Sequence, residues 1–260
     1  MGILNVTPDS FSDGGEFLRA DAAVAKALQM VEDGAAIIDV GGESTRPGAS
    51  PVSVEDELDR VIPVIEALTA RIDVPVSIDT SKPEVMLAAV KAGAGLINDV
   101  KALRTDGALQ QAAQLGVPVC LMHMQGQPPT MQQAPQYSSV LEEVKAFLAE
   151  RIQACVDHGI PKQHILIDPG FGFGKTLEHN YELLGHLREL QQLGCPLLVG
   201  LSRKSMLGAL TGRKPEQRVA ASVAAAVLAV ERGANVIRVH DVAETADALK
   251  IMEATRSGVQ

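Results

Sequence analysis

"AGAGLINDV", residues 92–100, joins a small-residue turn containing Gly93 to a short apolar run that ends on Asn98-Asp99. The wording returns in "DGAAIIDV" at 33–40 and "RGANVIRV" at 232–239. In each, a Gly closes a helical stretch where a left-handed C-cap favours a residue without Cβ, and an apolar strand pattern starts at once. Further Val/Ile/Leu-rich runs complete the series: 3–7 (ILNVT), 36–41 (AIIDVG), 74–80 (VPVSIDT), 96–100 (LINDV), 118–123 (PVCLMH), 164–169 (HILIDP), 196–202 (PLLVGLS) and 236–241 (VIRVHD). Each is followed by a helical pattern. Eight βα units with no linker or low-complexity segment predict an α/β fold, a (β/α)8 TIM barrel with residues 1–260 as a single domain. A doubly wound open sheet is the structural alternative.

The connections favour the barrel. Helix-to-strand joints are short, whereas the stretches after strands are long at 6–20, 41–53, 124–137, 169–177 and 202–215. In a barrel these long loops emerge together at the C-terminal face, where active sites form.

Composition sets outer limits. The chain has 260 residues, 46% hydrophobic and 21% charged, with a formal net charge of −9. That balance argues against a general nucleic-acid binder while leaving room for a local basic pocket. Cys120, Cys155 and Cys195 form no C-x-x-C and read as buried thiols of a reducing compartment, the cytoplasm. No signal-peptide pattern opens the chain. The longest apolar helical run, 219–230 (VAASVAAAVLAV), is too short to span a bilayer, so no membrane partner is expected. Its lack of a polar face predicts burial on both sides, hence a homodimer contact.

"DPGFGFGKT", 168–176, resembles a phosphate loop only superficially. A P-loop ending at Gly174-Lys175-Thr176 would need Gly where Pro169 stands, and a dinucleotide fingerprint begun at Gly170 would need Gly where Lys175 stands.

The strand ends are unusually polar. The first carries Asn5 and Thr7; the second Asp39, then Glu43, Ser44, Thr45 and Arg46. The third ends at Asp79, the fourth at Asn98-Asp99, the fifth at His123 and the sixth at Asp168. The seventh runs into Ser202-Arg203-Lys204, and the eighth carries Arg238 and His240. Plain structural roles compete for some of these. Asp39 and Asp99 also suit helix N-caps, His123 a satisfied core histidine, and Lys175 a solvated surface lysine. Arg238 is harder to dismiss, because an Arg within an apolar strand needs an anionic partner, and with His240 two residues on a bound phosphate or carboxylate is the economical explanation. Strand alternation puts His240 on the same face. Asn5, Thr45, Arg46, Arg238 and His240 suit an anion with several oxygens. Asp79, Asn98, Asp168 and Lys204 suit a flat heterocycle with donors and acceptors along its edge. Together they predict a ligand joining a polar bicyclic ring to a diphosphate.

Longer stretches carry a family likeness. "MGILNVTPDSFSDGG", "IIDVGGESTRPG", "SIDTSKPEV", "INDV", "LMHMQG", "LIDPGFGFGK", "LVGLSRKSM" and "VIRVHDV" span nearly the whole chain and include every strand end named above. In them the chain resembles bacterial dihydropteroate synthases. The resemblance implies an enzyme, a transferase of folate biosynthesis and a sulfonamide target. It would condense (7,8-dihydropterin-6-yl)methyl diphosphate with 4-aminobenzoate, by loss of pyrophosphate and then amine attack. It implies Mg2+ as cofactor, with Asn5 as metal contact. It puts Thr45, Arg46, Arg238 and His240 on phosphate oxygens, and Asp79, Asn98, Asp168 and Lys204 around the pterin. Pro47, Phe173 and Ser202 would enclose the aminobenzoate, and Asp79, Lys204 and Arg238 would be the catalytic groups. It implies ordering of the first two loops around pyrophosphate, with Gly14-Gly15 and Gly41-Gly42 as hinges, and the family's usual homodimer. Family members usually have a further segment ahead of the first strand that covers the lower end of the barrel; here Met1 stands directly at that strand, so closure and stability are the properties in question. A pterin-barrel methyltransferase would not need the diphosphate-binding pair or "SRKSM", and a catalytically silent pterin binder would not need the first two loops.

Overall fold

The structure is a computed structural model that describes residues 1–7, 16–44, 51–126 and 130–258, with side chains in the second stretch from residue 20 onward. Every expected strand is present. The strands are β1 (Gly2–Asn5), β2 (Ile38–Gly41), β3 (Val76–Asp79), β4 (Leu96–Asp99), β5 (Val119–Met122), β6 (Ile165–Asp168), β7 (Leu198–Val199) and β8 (Val236–Ile237). Between and after them run α1 (Glu16–Glu32), α2 (Val54–Thr69), α3 (Pro83–Lys91), α4 (Ala108–Leu115), α5 (Val140–Asp157), α6 (Leu177–Gly185), α7 (Ser205–Thr211), α8 (Val219–Glu231) and α9 (Val242–Ser257).

Strands β1 to β6 pair in parallel in chain order, and β7 pairs with β8. Two single parallel bridges join these pieces into a ring. Ile167 meets Leu197 between β6 and β7, and Gly2 meets Val239 between β8 and β1. At the second seam Ile3 N–H donates to the Val239 carbonyl at 2.9 Å, Val239 N–H donates to the Met1 carbonyl at 2.9 Å, and the amine of Met1 donates to the Ile237 carbonyl at 3.0 Å. The barrel therefore closes through residues 1–3.

The repeated glycine joints behave as the sequence predicts. At Gly93 (φ 110°) two bonds end helix α3: Gly93 N–H to Val90 O and Ala94 N–H to Ala89 O. This pairing satisfies two orphan carbonyls of the last turn. Gly34 and Gly233 repeat it, and so does Gly159 after α5.

Alternation sorts the strand residues into two sets. Leu4, Val40, Ile78, Ile97, Leu121 and Ile167 join the main apolar core between barrel and helices. Their neighbours one residue on, Asn5, Gly41, Asp79, Asn98, Met122 and Asp168, occupy the opposite face, which points into the barrel. Ladder register sets Asn5, Gly41, Asp79 and Asn98 side by side on four consecutive strands.

Candidate functional site

The interior face of β2 to β4 forms an acidic wall around one cation. Arg238 Nε donates to Asp39 Oδ2 at 2.5 Å, and its Nη2 donates to Asp79 Oδ2 at 2.7 Å. Asn98 Nδ2 donates to the same Asp39 oxygen at 3.1 Å. Arg238 thus has its anionic partners within the protein. Asp39, which the sequence also suited to a helix N-cap, is fully buried and holds Arg238 instead. Asp99 does cap locally, but not a helix: it accepts Lys101 N–H and Leu103 N–H, each at 2.8 Å, and the Ser81 hydroxyl. Burial raises Asp79 to about 7, with Asp39, Asp99 and Glu57 adding to the effect and Arg238 opposing it.

The opposite wall comes from the loops after β6 and β7. Asp168 is buried, and one carboxylate oxygen accepts Gly170 N–H at 2.7 Å. Burial raises its pKa, while that bond and the charges of Lys204 and Arg238 oppose the rise. A Cβ on Gly170 (φ 68°) would collide with the His123 carbonyl, so only glycine lets the loop lie this close to β5. The loop carries Phe173 into a small apolar cluster with Val100, Met122, Met124 and Met131. Lys204 Nζ stands 4.3 Å over the Phe173 ring. Burial brings that lysine down to about 8, against the pull of Asp168.

Ser202 and His240 form a third group at the rim. The Ser202 hydroxyl accepts His240 N–H at 3.1 Å and lies 3.0 Å from His240 Nδ1. Burial lowers His240 to about 4, so the ring is neutral near pH 7. In the tautomer in which Nδ1 accepts the serine hydrogen, Nε2 carries the ring proton and is a donor.

Asn5 closes the circle at β1. Gly41 has no side chain between Asn5 and Asp79; its Cβ position would lie 3.9 Å from Asn5 Oδ1 and 3.7 Å from Asp79 Oδ2. Both are hard oxygen donors of the kind Mg2+ takes, one or two at a time, alongside phosphate oxygens. Among the described residues no group of three or more His, Cys, Asp or Glu is disposed to hold a metal.

Asn5, Asp79, Asn98, Asp168, Phe173, Ser202, Lys204, Arg238 and His240 are therefore gathered at the C-terminal rim. Thr45, Arg46, Pro47 and the Gly14-Gly15 pair lie outside the described residues. The base of the second loop is within them. Arg60 Nη1 donates to Gly42 O at 2.9 Å, Val52 N–H donates to Glu43 at 3.0 Å, and Lys82 bridges Glu43 at 2.6 Å to the buried Glu57.

One expectation is overturned. Lys175 is not a solvated lysine: it is 3% exposed and donates to His123 Nδ1, Gly170 O and Phe173 O. Neither Asp39 nor Lys175 is singled out by spacing as a site residue. The phase of β2, two residues before inward-facing Gly41, is the signal that could have identified Asp39.

A closed parallel barrel with a polar, mixed-charge rim defines a small-molecule enzyme of the TIM-barrel class. Residues 1–240 match the family described as pterin binding enzyme, and the chain belongs to that family. It is similar to the dihydropteroate synthase of Escherichia coli strain K12, with 57% identity over 257 residues, 99% of this chain and 91% of the relative. It also resembles the solved dihydropteroate synthase of Yersinia pestis with a sulfonamide drug complex, at a TM-score of 0.95 and 57% identity, covering 99% of this chain and 94% of that one. The dihydropteroate synthase of Xanthomonas albilineans in complex with 7,8-dihydropteroate has a TM-score of 0.91 and 56% identity, covering 99% and 93%.

Proposed function

We infer that the chain is a transferase that condenses (7,8-dihydropterin-6-yl)methyl diphosphate with 4-aminobenzoate, giving 7,8-dihydropteroate and pyrophosphate. One observation carries this reading: carboxylates suited to a donor-rich ring edge and cations suited to a diphosphate meet at one rim, in a chain 56% identical to a protein solved with 7,8-dihydropteroate.

In this reading Asp79, Asn98, Asp168 and Lys204 frame the pterin. Arg238 and His240, with Thr45 and Arg46, hold phosphate oxygens. Phe173, Ser202 and Pro47 enclose the aminobenzoate. Mg2+ held by Asn5 and phosphate oxygens would supply further charge neutralisation at the leaving group.

The methylene C–O bond breaks first, and its electron pair leaves on pyrophosphate. Arg238 and the Nε2–H of His240 are worth most here, because the leaving group gains negative charge as the bond stretches. Diphosphate competes with Asp79 for the Arg238 guanidinium, so Asp79 becomes available to stabilise the methylene cation. The aminobenzoate nitrogen then forms the C–N bond and loses a proton; a weakly basic arylamine needs placement more than a strong base. Loops closing over the rim keep water from the cation.

The same reading includes a homodimer and a cytoplasmic site of action. Helix α8 buries Ser222, Ala225, Ala226 and Ala229 and leaves Ala220, Ala224 and Leu228 exposed on its other face. Leu210 of α7 (64% exposed) and Ile251 of α9 (70%) are further exposed apolar side chains. A monomeric mass in light scattering at micromolar protein would remove the dimer. Unpaired, buried Cys120, Cys155 and Cys195 suit a reducing compartment, and no helix among the described residues is long and apolar enough to cross a membrane. The deciding assay mixes the pterin diphosphate, Mg2+ and 4-aminobenzoate and measures pyrophosphate. Release that depends on both organic substrates is expected; its absence would end the reading.

A further inference from the structure

Lys175 is left over by the mechanism above, although it is among the most enclosed charges at the rim. Its ammonium has three hydrogens, and each has an acceptor: Gly170 O at 2.8 Å, Phe173 O at 3.2 Å and His123 Nδ1 at 3.0 Å. These acceptors come from both ends of the 170–173 turn and from the end of β5. The ammonium therefore ties the turn to the barrel at the point where Phe173 departs. Other contacts hold the turn from outside: Asn180 Oδ1 accepts Gly172 N–H at 2.7 Å, and the Tyr137 hydroxyl donates to Gly174 O at 2.8 Å. Only Lys175 bonds the Phe173 carbonyl among the described residues, and Phe173 is the ring beneath Lys204.

A buried charge is expensive unless it is fully hydrogen-bonded. A neutral side chain at 175 would avoid that cost, yet the fold encloses a lysine. Burial holds Lys175 down to about 7, and Asp168 beside it raises its pKa in opposition. His123 is held to about 3 by burial and by Lys175, so its Nδ1 is free to accept.

We propose that Lys175 is a positioning residue for the second substrate: its ammonium fixes the Phe173 backbone and thereby the aromatic wall on which the arylamine rests. The proposal depends on the function inferred above, which has its own test in pyrophosphate release by the unaltered protein. If the unaltered protein releases none, both fall. If it is active, only comparison among variants decides the role of Lys175.

Lys175→Met keeps the length and removes the donors. In steady-state kinetics with Mg2+, its KM for 4-aminobenzoate should rise by about tenfold to a hundredfold, the scale of one hydrogen bond to a charged group. The affinity of a pterin analogue, read by calorimetry, should fall by less than the aminobenzoate KM rises, because Asp79 and Asn98 sit on strands away from this turn, whereas Asp168, which accepts Gly170 N–H, and Lys204, over the Phe173 ring, border it. An unchanged aminobenzoate KM, or equal losses for both ligands, would overturn the proposal. His123 gives a second route should Lys175→Met not fold. His123→Asn keeps an acceptor near the Nδ1 position and should retain the aminobenzoate KM to within about threefold, whereas His123→Leu should raise it by about tenfold. Indistinguishable values for the two His123 variants would likewise refute the role.

Discussion

The two walls of the rim are built differently. On the β2–β4 side the functional groups are borne by strands, so the ladder fixes them in register and aims them at one another. Asp39 and Asp79 crowd together, and the Arg238 guanidinium between them is part of the architecture as well as of the chemistry. On the β6–β7 side the groups hang on loops. Asp168 ends its strand, but Phe173 and Lys204 are held by turns that need left-handed glycines, the buried Lys175, and Arg218, whose Nη1 donates to Arg203 O at 2.9 Å. Arg203 itself sits at φ 58° and is anchored to Asp241. A strand wall stores its precision in the fold, and a loop wall needs separate pins. Substitutions on the first should therefore damage folding and function together, and substitutions on the second mainly function.

Arg238→Ala is the harshest test of that contrast. It leaves fully buried Asp39, whose second oxygen already has no partner, without its counter-charge. Removing one partner of a buried pair costs about 3–5 kcal/mol, which should appear as a lower urea midpoint with an unchanged slope. The KM for the diphosphate substrate should also rise. Lys204→Ala on the loop wall exchanges a half-buried cation and should cost less than about 1 kcal/mol of stability. Equal losses for the two variants would erase the distinction between the walls. Asp168→Ala is intermediate: a buried strand-end carboxylate that the proposed function sets against the pterin. It should lose about 1.5–3 kcal/mol of affinity for a pterin analogue, the value of a hydrogen bond to a charged group, and unchanged binding in a titration would remove Asp168 from the ring-reading set.

The same contrast explains what can be read from the sequence. The eight strands are legible because each is a short apolar run behind a glycine or proline joint, and the joint at Gly93 recurs closely at Gly34 and Gly233. Strand-borne polar residues are legible too, since alternation places Asp79, Asn98 and Arg238 inside once the barrel is assumed. Loop-borne structure is not. Nothing in the spacing of "DPGFGFGKT" reveals that Lys175 turns inward, because its acceptors include His123, fifty-two positions away. Local pattern cannot encode a contact whose two halves meet only after closure. Asp39 falls between: its phase is readable, yet its pairing with Arg238 spans 199 positions and joins β2 to the residue after β8.

The smallest expected effect is a pH slope assigned to one carboxylate. Asp79 stands at about 7, against an ordinary value of 3.8, chiefly because it is buried. The folded chain therefore keeps a proton on Asp79 that the unfolded chain releases between those values. Its contribution to stability is present below about pH 4 and is lost as the pH rises to about 7. Ligand binding runs the other way, since a pterin edge that donates hydrogen bonds needs the ionised carboxylate. Affinity for a phosphate-free pterin analogue should rise by about tenfold from about pH 6 to about pH 8, the range over which a group with this pKa changes from mostly protonated to mostly ionised. In Asp79→Asn most of that slope should vanish, and what remains belongs to the loop wall. Lys204, at about 8, loses charge over the upper part of the range, so its contribution has the opposite sign. Calorimetric titrations at matched ionic strength separate the two, and an identical slope in Asp79→Asn would mean that the strand-borne carboxylate does not read the ring.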